Sequence, residues 1–250
     1  EDLISLQNPI SSDLNTMRPS TIPNLLEAIN QNKARMYTRA KIFEVGPNFS
    51  KSLSDFQENV ASAITYGSID EENWLSNKKN TNVYNLKADL FSVLTILNVP
   101  INNLLYDKNE DNIYHPGKSA TLRLGKNIIA KFGELHPILL KTMDINIKVY
   151  GFEIYLDNIS QFQENKSFSR DSFLNNPYQM VERDFAFLFP KEIKANEIIK
   201  KVKKIDKNII NKVTIFDVYE GDKLPDNNKK SIAIRVLLQP QDKTFKDEDI

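Results

Sequence analysis

The stretch FAFLFPKEIKANEIIKKVKKI, residues 185–205, decides the fold of the C-terminal part of the chain. It begins with a short apolar run that holds three phenylalanines, which is typical of a strand. The apolar residues after this run recur at the spacing of one helical face: Ala195, Ile198, Ile199, Val202 and Ile205. A strand and an amphipathic helix in close succession are the opening of a split βαβ unit.

The residues that follow complete most of this unit. Alternating apolar residues predict strands at 213–219 and 232–238, joined by a turn-rich loop at 220–229. A capping-box pattern at 244–247 predicts the start of another helix. These are five of the six elements of a ferredoxin-like domain, and we expect its last strand to be missing. Helices cover one face of such a sheet, so the other face is free to bind a ligand or partner.

The N-terminal part predicts a second α+β domain. Helices are expected at 23–32 and 83–97, where apolar residues follow a helical period. The predicted strands are 40–45, ending before Gly46-Pro47, then 61–66, 120–124, 128–132 and 149–156. Residues 157–178 are polar and show no period, so we place the domain boundary there.

Composition excludes several classes of function. The 250 residues hold 33 basic and 33 acidic side chains, so any affinity for nucleic acid must come from a local patch. The absence of cysteine excludes disulfide scaffolds, thiolate zinc sites and cysteine nucleophiles. Seven glycines argue against a Gly-rich nucleotide cradle. No apolar run approaches the roughly 18 residues of a membrane helix, and the start at Glu1 indicates a piece of a longer protein.

None of the motifs that could indicate catalysis or metal binding is complete. Gly117-Lys118-Ser119 resembles the end of a P-loop, but Asn112 stands where that loop needs glycine, so we expect a surface turn at 114–118. His115 and His136 each precede a proline and have no second ligand nearby, which favours structural roles over metal binding. The acidic runs at 71–72 and 247–249 lie in polar surroundings that would not raise a carboxyl pKa. We therefore predict no catalytic residue and no metal site.

The one unusual charge feature is a lysine-rich segment. Residues 191–212 hold eight lysines and three acids, a local net charge of 8 − 3 = +5. On the predicted helix, Lys200, Lys203, Lys204 and Lys207 share one side and would form a stripe able to neutralise phosphates. The alternative is the solvated face of an ordinary helix.

Three further residues are candidates on the sheet. Alternation places Ile232, Ile234, Val236 and Leu238 toward the helix and Arg235 on the opposite face. Arg183, Tyr219 and Arg235 are then candidates for an open face, where rings stack on unpaired bases and guanidinium groups meet phosphates. Tyr219 is equally consistent with a packed edge position.

Eight short sequence tags occur in a fixed order that resembles one family. They are NPIS (8–11), MRPS (17–20), FEVG (43–46), HPGKSA (115–120), GELHP (133–137), RD (183–184), FDVYEG (216–221) and DKT (242–244). Together they resemble the C-terminal half of the bacterial phenylalanyl-tRNA synthetase β subunit, and the resemblance spans the whole chain.

The resemblance implies a division of labour. Residues 1–157 would be a class II synthetase catalytic-like but non-catalytic module, 158–172 a linker, and 173–250 a ferredoxin-fold anticodon-binding module. The holoenzyme, two α and two β subunits in the cytoplasm, attaches phenylalanine to tRNA(Phe) with ATP and Mg. This chain would hold no cofactor, pack on the α subunit, which carries the active site, and contact the anticodon region of tRNA(Phe).

The motifs themselves agree that the catalytic-like module is inactive. The segment 43–46, which resembles the second class II motif, has no arginine, and the segment 150–154, which resembles the third, lacks both arginine and a Gly-x-Gly run. Without those charges nothing would stabilise the phosphate in adenylate formation. The resemblance does not say which residue touches which base. The alternatives are a protein-interaction domain that binds no RNA and, least favoured, an independent ATP-using ligase.

Overall fold

A computed structural model describes residues 3–53, 55–70, 74, 79–163, 176–221, 224–226 and 228–245, with backbone only at 13 and 160–163. The chain forms two compact units, Glu1–Phe168 and Ser169–Ile250. No helix within the described ranges is both long and apolar enough to cross a bilayer.

The first unit is built on an antiparallel sheet in the order β1-β2-β6-β5-β4-β3. Its strands are β1 (Ala40–Phe49), β2 (Gln57–Tyr66), β3 (Leu105–Asp107), β4 (Tyr114–Leu124), β5 (Asn127–Leu135) and β6 (Val149–Tyr155). Its helices are α1 (Ile22–Ala34), α2 (Val83–Ile96), α3 (Pro137–Thr142) and α4 (Leu156–Gln163), with short 3₁₀ turns at Ser12–Leu14 and Ile101–Asn103. The sequence predicted α1 and α2 and the core of every strand except β3.

Helices α1 and α2 cover opposite faces of this sheet. Ile64 of β2 and Val149 of β6 belong to the core under α1, while their neighbours Ala63 and Tyr150 pack in the core under α2. Because successive strand residues point to opposite faces, the two helices must lie on different sides. The fold therefore buries apolar side chains on both faces, and its polar groups concentrate on the part of the α1 face that α1 leaves uncovered.

Two predicted interruptions of the sheet are wrong. Strand β1 continues through Gly46-Pro47 to Phe49. Proline is tolerated there because β1 is an edge strand, so its missing N–H interrupts no ladder. The predicted surface turn at 114–118 is the irregular start of β4, where the register with β5 shifts between Tyr114 and Ser119. A β-bulge accommodates the extra residues of this segment, so the strand continues through it.

The first part of the predicted linker is helical. Residues 156–163 form α4, although their sequence is polar and shows no clear period. Among the described side chains of this helix, Ile159 is buried in the core under α2 and Leu156 packs partly buried against it, and two contacts are too weak a pattern to read from sequence. The remaining linker residues, 164–172, lie outside the described residues.

The second unit contains β7 (Val181–Pro190), α5 (Ala195–Ile205), β8 (Ile210–Tyr219) and β9 (Lys229–Leu238). Its described strands form an antiparallel sheet in the order β7-β9-β8, as the split βαβ pattern predicts. The core lies between α5 and the sheet and is built from Ile198, Val213, Ile232, Ile234 and Val236. Of the capping box at 244–247, only residues 244–245 are described, and the helix predicted to follow lies outside the described residues. The acidic runs at 71–72 and 247–249 also fall outside them.

Candidate nucleic-acid interface

Helix α5 carries most of the candidate lysines. Its apolar side, with Ile198 buried and Val202 partly buried, packs on the sheet, because these residues repeat at helical spacing. Lys200, Lys203 and Lys204 lie on the remaining circumference, and Lys204 is exposed. Four lysines and one acid, Glu197, fall within the helix, so this surface carries a net charge of 4 − 1 = +3.

Lys207 is not part of the helical stripe. Helix α5 ends at Ile205, and Asp206 adopts extended backbone. The Asp206 carboxylate accepts hydrogen bonds from the backbone N–H groups of Asn208 and Ile209, at 2.9 and 3.1 Å. This aspartate turn competes with the helix and ends it. The predicted four-lysine stripe is therefore wrong at its fourth member, and Lys207 lies exposed in the turn after the helix.

Tyr219 and Arg235 lie on the face of the sheet opposite α5. In the β8–β9 ladder Tyr219 pairs with Ser231 and Thr214 with Arg235, whereas the buried Ile232 and Ile234 pair with Val218 and Ile215. Since paired residues of antiparallel strands share a face, the odd-numbered residues of β9 form the open face. The alternation in β9 predicted the face of Arg235 correctly, whereas it left Tyr219 open between this face and a packed edge position.

Arg183 lies on the other face. It pairs with Val236, whose side chain is buried toward α5, so the prediction that Arg183 joins the open face is wrong. A shift of one residue in register moves a strand residue to the opposite face, so the sequence alone does not determine the face of Arg183. Arg183 donates a hydrogen bond to the carbonyl oxygen of Glu182 at 3.2 Å.

Arg235 is engaged within the protein. It donates two hydrogen bonds of 2.8 Å to Asp184 and lies 3.0 Å from Glu182, and its guanidinium carbon lies 5.2 Å from the centre of the Phe216 ring. The hydrogen bonds from Arg235 lower the pKa of the Asp184 carboxyl. Two carboxylates thus offset the charge that was expected to meet phosphate.

Tyr219 is held against a glycine. A Cβ atom on Gly221 would lie 2.5 Å from the Tyr219 hydroxyl oxygen, so the ring occupies the space that any larger residue would need. Tyr219 and Phe216 are 40% and 51% exposed, which leaves two aromatic groups accessible on the open face. The sequence missed Phe216, which reaches this face through a break in the β8–β9 register between Ile215 and Asp217.

The seven candidate residues therefore form no single site. Lysines lie on and just beyond α5, which covers one face of the sheet, while Tyr219 and Arg235 lie on the opposite face. Arg183 lies on the α5 side of β7. The basic surface and the aromatic surface are separate, and a ligand on one does not reach the other without wrapping the unit.

The first unit has a polar face of a different kind. On the α1 side of its sheet, Glu153 of β6 is 2% exposed and accepts hydrogen bonds from Ser20 at 2.7 Å and from the Tyr114 hydroxyl at 3.2 Å. Burial raises the pKa of Glu153 and, with the nearby Glu153 carboxyl, that of Tyr114. The neighbouring Ser62 accepts a hydrogen bond from Thr21. Residues 20–21 thus cover this part of the face.

Arg18 joins two of the sequence tags in space. It forms an ion pair with Glu44 and donates a 3.0 Å hydrogen bond to the carbonyl oxygen of Pro47. A Cβ atom on Gly46 would lie 2.4 Å from the Arg18 guanidinium, so glycine leaves room for that side chain. The tags at 17–20 and 43–46 therefore describe one structural contact.

Comparison with known proteins decides the family. Residues 1–156 match the family model for the phenylalanyl tRNA synthetase beta chain CLM domain, and residues 176–250 match the ferredoxin-fold anticodon binding domain. The chain belongs to the phenylalanyl-tRNA synthetase β-chain family. It is 38% identical over its whole length to the phenylalanine–tRNA ligase β subunit of Rhodospirillum rubrum and 37% identical to that of Rickettsia bellii. It spans only 31% and 28% of those relatives.

Solved structures support the fold of this β-chain segment. A pyrrolysyl tRNA synthetase from Desulfitobacterium hafniense matches with a TM-score of 0.50 over 65% of this chain and 52% of that one, at 15% identity. At this identity the likeness concerns the fold alone. The synthetase-like sheet predicted from the sequence is confirmed, as is the ferredoxin-fold domain that follows it.

The segments that resemble the second and third class II motifs lie in β1 and β6 of this β-chain family member. The carboxylates of Glu44 and Glu153 lie on the same face of the sheet, because both pair with Ser62 of β2. Both are engaged, one by Arg18 and the other by Ser20 and Tyr114. Sequence reasoning noted the missing arginines but not the carboxylates and hydroxyls that occupy this face. The described residues contain no group of three His, Cys, Asp or Glu side chains arranged to hold a metal ion.

Proposed function

We propose that this chain is a non-catalytic part of the β subunit of phenylalanine–tRNA ligase. In this proposal the holoenzyme, with two α and two β subunits in the cytoplasm, attaches phenylalanine to tRNA(Phe) using ATP and Mg. Residues 1–157 support the α subunit, 158–172 link the two modules, and 173–250 bind the anticodon region of tRNA(Phe). The family membership of both segments supports it.

The chemistry of the catalytic-like face supports the absence of catalysis. Adenylate formation needs cationic groups beside the ATP phosphates, because negative charge builds up there in the transition state. At β1 and β6 this face presents Glu44 and Glu153, whose oxygens already accept hydrogen bonds from the protein. A carboxylate repels phosphate, so Glu44 and Glu153 do not fit ATP, and Arg18, the cation beside Glu44, is engaged by that carboxylate. No catalytic step is assigned to this chain.

The edge of the first sheet supports packing on another subunit. Phe43 and Val45 lie on the same face of the edge strand β1, and Phe43 is 76% exposed. Large apolar side chains exposed side by side are typical of protein–protein contacts. We propose that the α subunit covers this edge.

The observation that carries the RNA-binding proposal is the basic outer surface of α5. Exposed lysines gain binding energy from phosphates by releasing condensed counterions. Arg235, by contrast, is paired with Asp184 and Glu182 and would have to exchange them for phosphate. We therefore propose Lys200, Lys203 and Lys204 as the principal phosphate contacts, with Lys207 next to them. Tyr219 and Arg235 remain candidates for contacts with bases, and Arg183 for a contact from the α5 side.

The experiment is a titration of the tRNA(Phe) anticodon stem-loop against the 250-residue chain, followed by fluorescence anisotropy at several salt concentrations. We expect the triple variant Lys200→Glu, Lys203→Glu, Lys204→Glu to lower the affinity by about 100-fold and to flatten the salt dependence. The matched control, Lys33→Glu, Lys141→Glu, Lys148→Glu, makes the same charge change in the first unit and should lower it only a few-fold.

Two results would contradict this proposal. If the parent chain does not bind at low salt, the alternative of a protein-interaction domain without RNA binding is favoured. If the α5 variant and the control weaken binding equally, the α5 lysines are only a solvated surface. A double variant Phe216→Ala, Tyr219→Ala tests the open face separately, since its aromatic groups would contribute by stacking and not by charge.

A further inference from the structure

A cavity of about 540 Å³ lies where β3, β4 and β5 meet the loop that joins β3 to β4. Its lining includes the buried residues Thr121 and Asn109 and equal numbers of cationic and acidic side chains, namely Lys108, Arg123 and Lys131 with Asp107, Glu110 and Asp111. Thr121 and Lys131 are paired across β4 and β5, so they share one face of the sheet. A cavity of this size accommodates a small molecule. The proposed tRNA and α-subunit contacts do not use it.

Among the described residues, one buried side-chain amide N–H group in the lining of this cavity has no hydrogen-bond partner. Asn109 is 3% exposed, and its Oδ1 accepts a 3.1 Å hydrogen bond from the backbone N–H of Asp111, which fixes the orientation of the amide. Its Nδ2 has no hydrogen-bond partner within the described part of the chain. A buried amide N–H without an acceptor is costly. The group therefore calls for an acceptor oxygen from outside the protein.

The charges around Asn109 define which acceptor fits. Lys131 lies 3.0 Å from Asp111, and Arg123 lies 2.8 Å from Asp107. Arg123 has five N–H donors and Lys131 three, so donors exceed what these two carboxylates use. The same carboxylates would repel a group with two negative charges. A single carboxylate satisfies the donors with the least repulsion.

A second cavity of about 370 Å³ continues the first. It shares Arg123, Ile128 and Lys131 with it and extends to Tyr155, over whose ring the Lys131 ammonium lies at 5.6 Å. Arg123 and Lys131 thus stand between two spaces. One space would hold the acidic group and the other the remainder of the molecule.

We propose that this cavity binds the carboxylate group of a small molecule, with Asn109 Nδ2, Arg123 and Lys131 as the hydrogen-bond donors. The acidic side chains of the lining would attract an ammonium group. A zwitterion such as an α-amino acid therefore fits better than a simple carboxylate. The proposal is independent of tRNA binding.

The test uses the 250-residue chain with acetate, glycine and inorganic phosphate as probes at pH 7 and constant ionic strength. Binding of acetate and glycine is followed by saturation-transfer NMR of their C–H protons, and binding of all three probes by the ¹⁵N side-chain amide signal of Asn109. We expect saturable binding of acetate and glycine with a Kd of about 1–10 mM and at least tenfold weaker binding of phosphate. Glycine should bind more tightly than acetate.

Two cavity variants test whether the proposed donors bind the carboxylate. Asn109→Asp keeps the acceptor for the Asp111 N–H but removes the donor, and should weaken carboxylate binding at least tenfold. Arg123→Gln gives an independent test if Asn109→Asp melts early, and Lys141→Gln on α3 is the control. The proposal is overturned if the parent chain binds neither carboxylate, if phosphate binds as well as acetate, or if both cavity variants bind like the control.

Discussion

The two units differ in whether their charged side chains are engaged within the fold or lie on its surface. On the α1 face of the first sheet, Glu153 is enclosed by Ser20 and Tyr114, and Glu44 is paired with Arg18. In the second unit, the lysines of α5 lie on the outside of a helix and contribute little to the core. A polar group whose hydrogen bonds the fold already provides is not available to a ligand. Among the lysines of α5, Lys201 and Lys204 are exposed, and an exposed charge contributes little stability and is available for binding.

The largest effect expected from this comparison is on Glu153. The substitution Glu153→Ala leaves the buried hydroxyls of Ser20 and Tyr114 without their acceptor and opens a cavity. We expect the free energy of unfolding to fall by about 3 kcal/mol, measured by urea denaturation of the first unit's signal. The control Glu27→Ala, at an exposed position of α1, should change it by less than about 0.5 kcal/mol. Equal losses for the two variants would show that the polar face is not an enclosed network.

A smaller effect is expected from pH. Burial raises the pKa of Glu153 above its unfolded value of 4.5, so the folded state holds this proton more tightly than the unfolded state. Stability from this group is then fully present below pH 4.5 and falls as pH rises through the folded pKa, by at most about 1.4 kcal/mol per pH unit. Urea denaturation at several pH values should show this fall in the parent chain and lose it in Glu153→Gln. The idea fails if both chains have the same slope.

The smallest effect is expected from the α5 lysines on stability. The triple variant Lys200→Glu, Lys203→Glu, Lys204→Glu should change the free energy of unfolding of the second unit by about 0.5 kcal/mol or less, because no core contact is removed. Thermal unfolding followed by circular dichroism measures this. A loss of several kcal/mol would mean that these lysines are structural, and any loss of RNA binding in the same variant would then reflect unfolding.

Periodicity was a good guide wherever one face of an element is buried. Helix α2 and helix α5 were predicted from their apolar spacing, and each begins and ends within a few residues of the prediction. Periodicity failed where a few contacts decide the structure. The helix α4 depends on Leu156 and Ile159, and the end of the lysine stripe depends on the Asp206 carboxylate.

The candidate site was predicted in composition but not in arrangement. The alternation in β9 placed Arg235 opposite the apolar residues, which is correct. The same reasoning could not place Arg183, because it required the register between β7 and β9. Nor could it find Asp184 and Glu182 beside Arg235, since they come from a strand about 50 residues earlier in the chain.

What the sequence determined by itself is the family, the order of the elements and the local excess of positive charge, because these depend on residue spacing along the chain. What only the tertiary structure decided is which charges remain available. The ion pair of Arg18 with Glu44, the enclosure of Glu153 and the neutralisation of Arg235 all join residues distant in sequence. Such contacts depend on strand register and packing, which determine whether a charged side chain meets solvent or a partner.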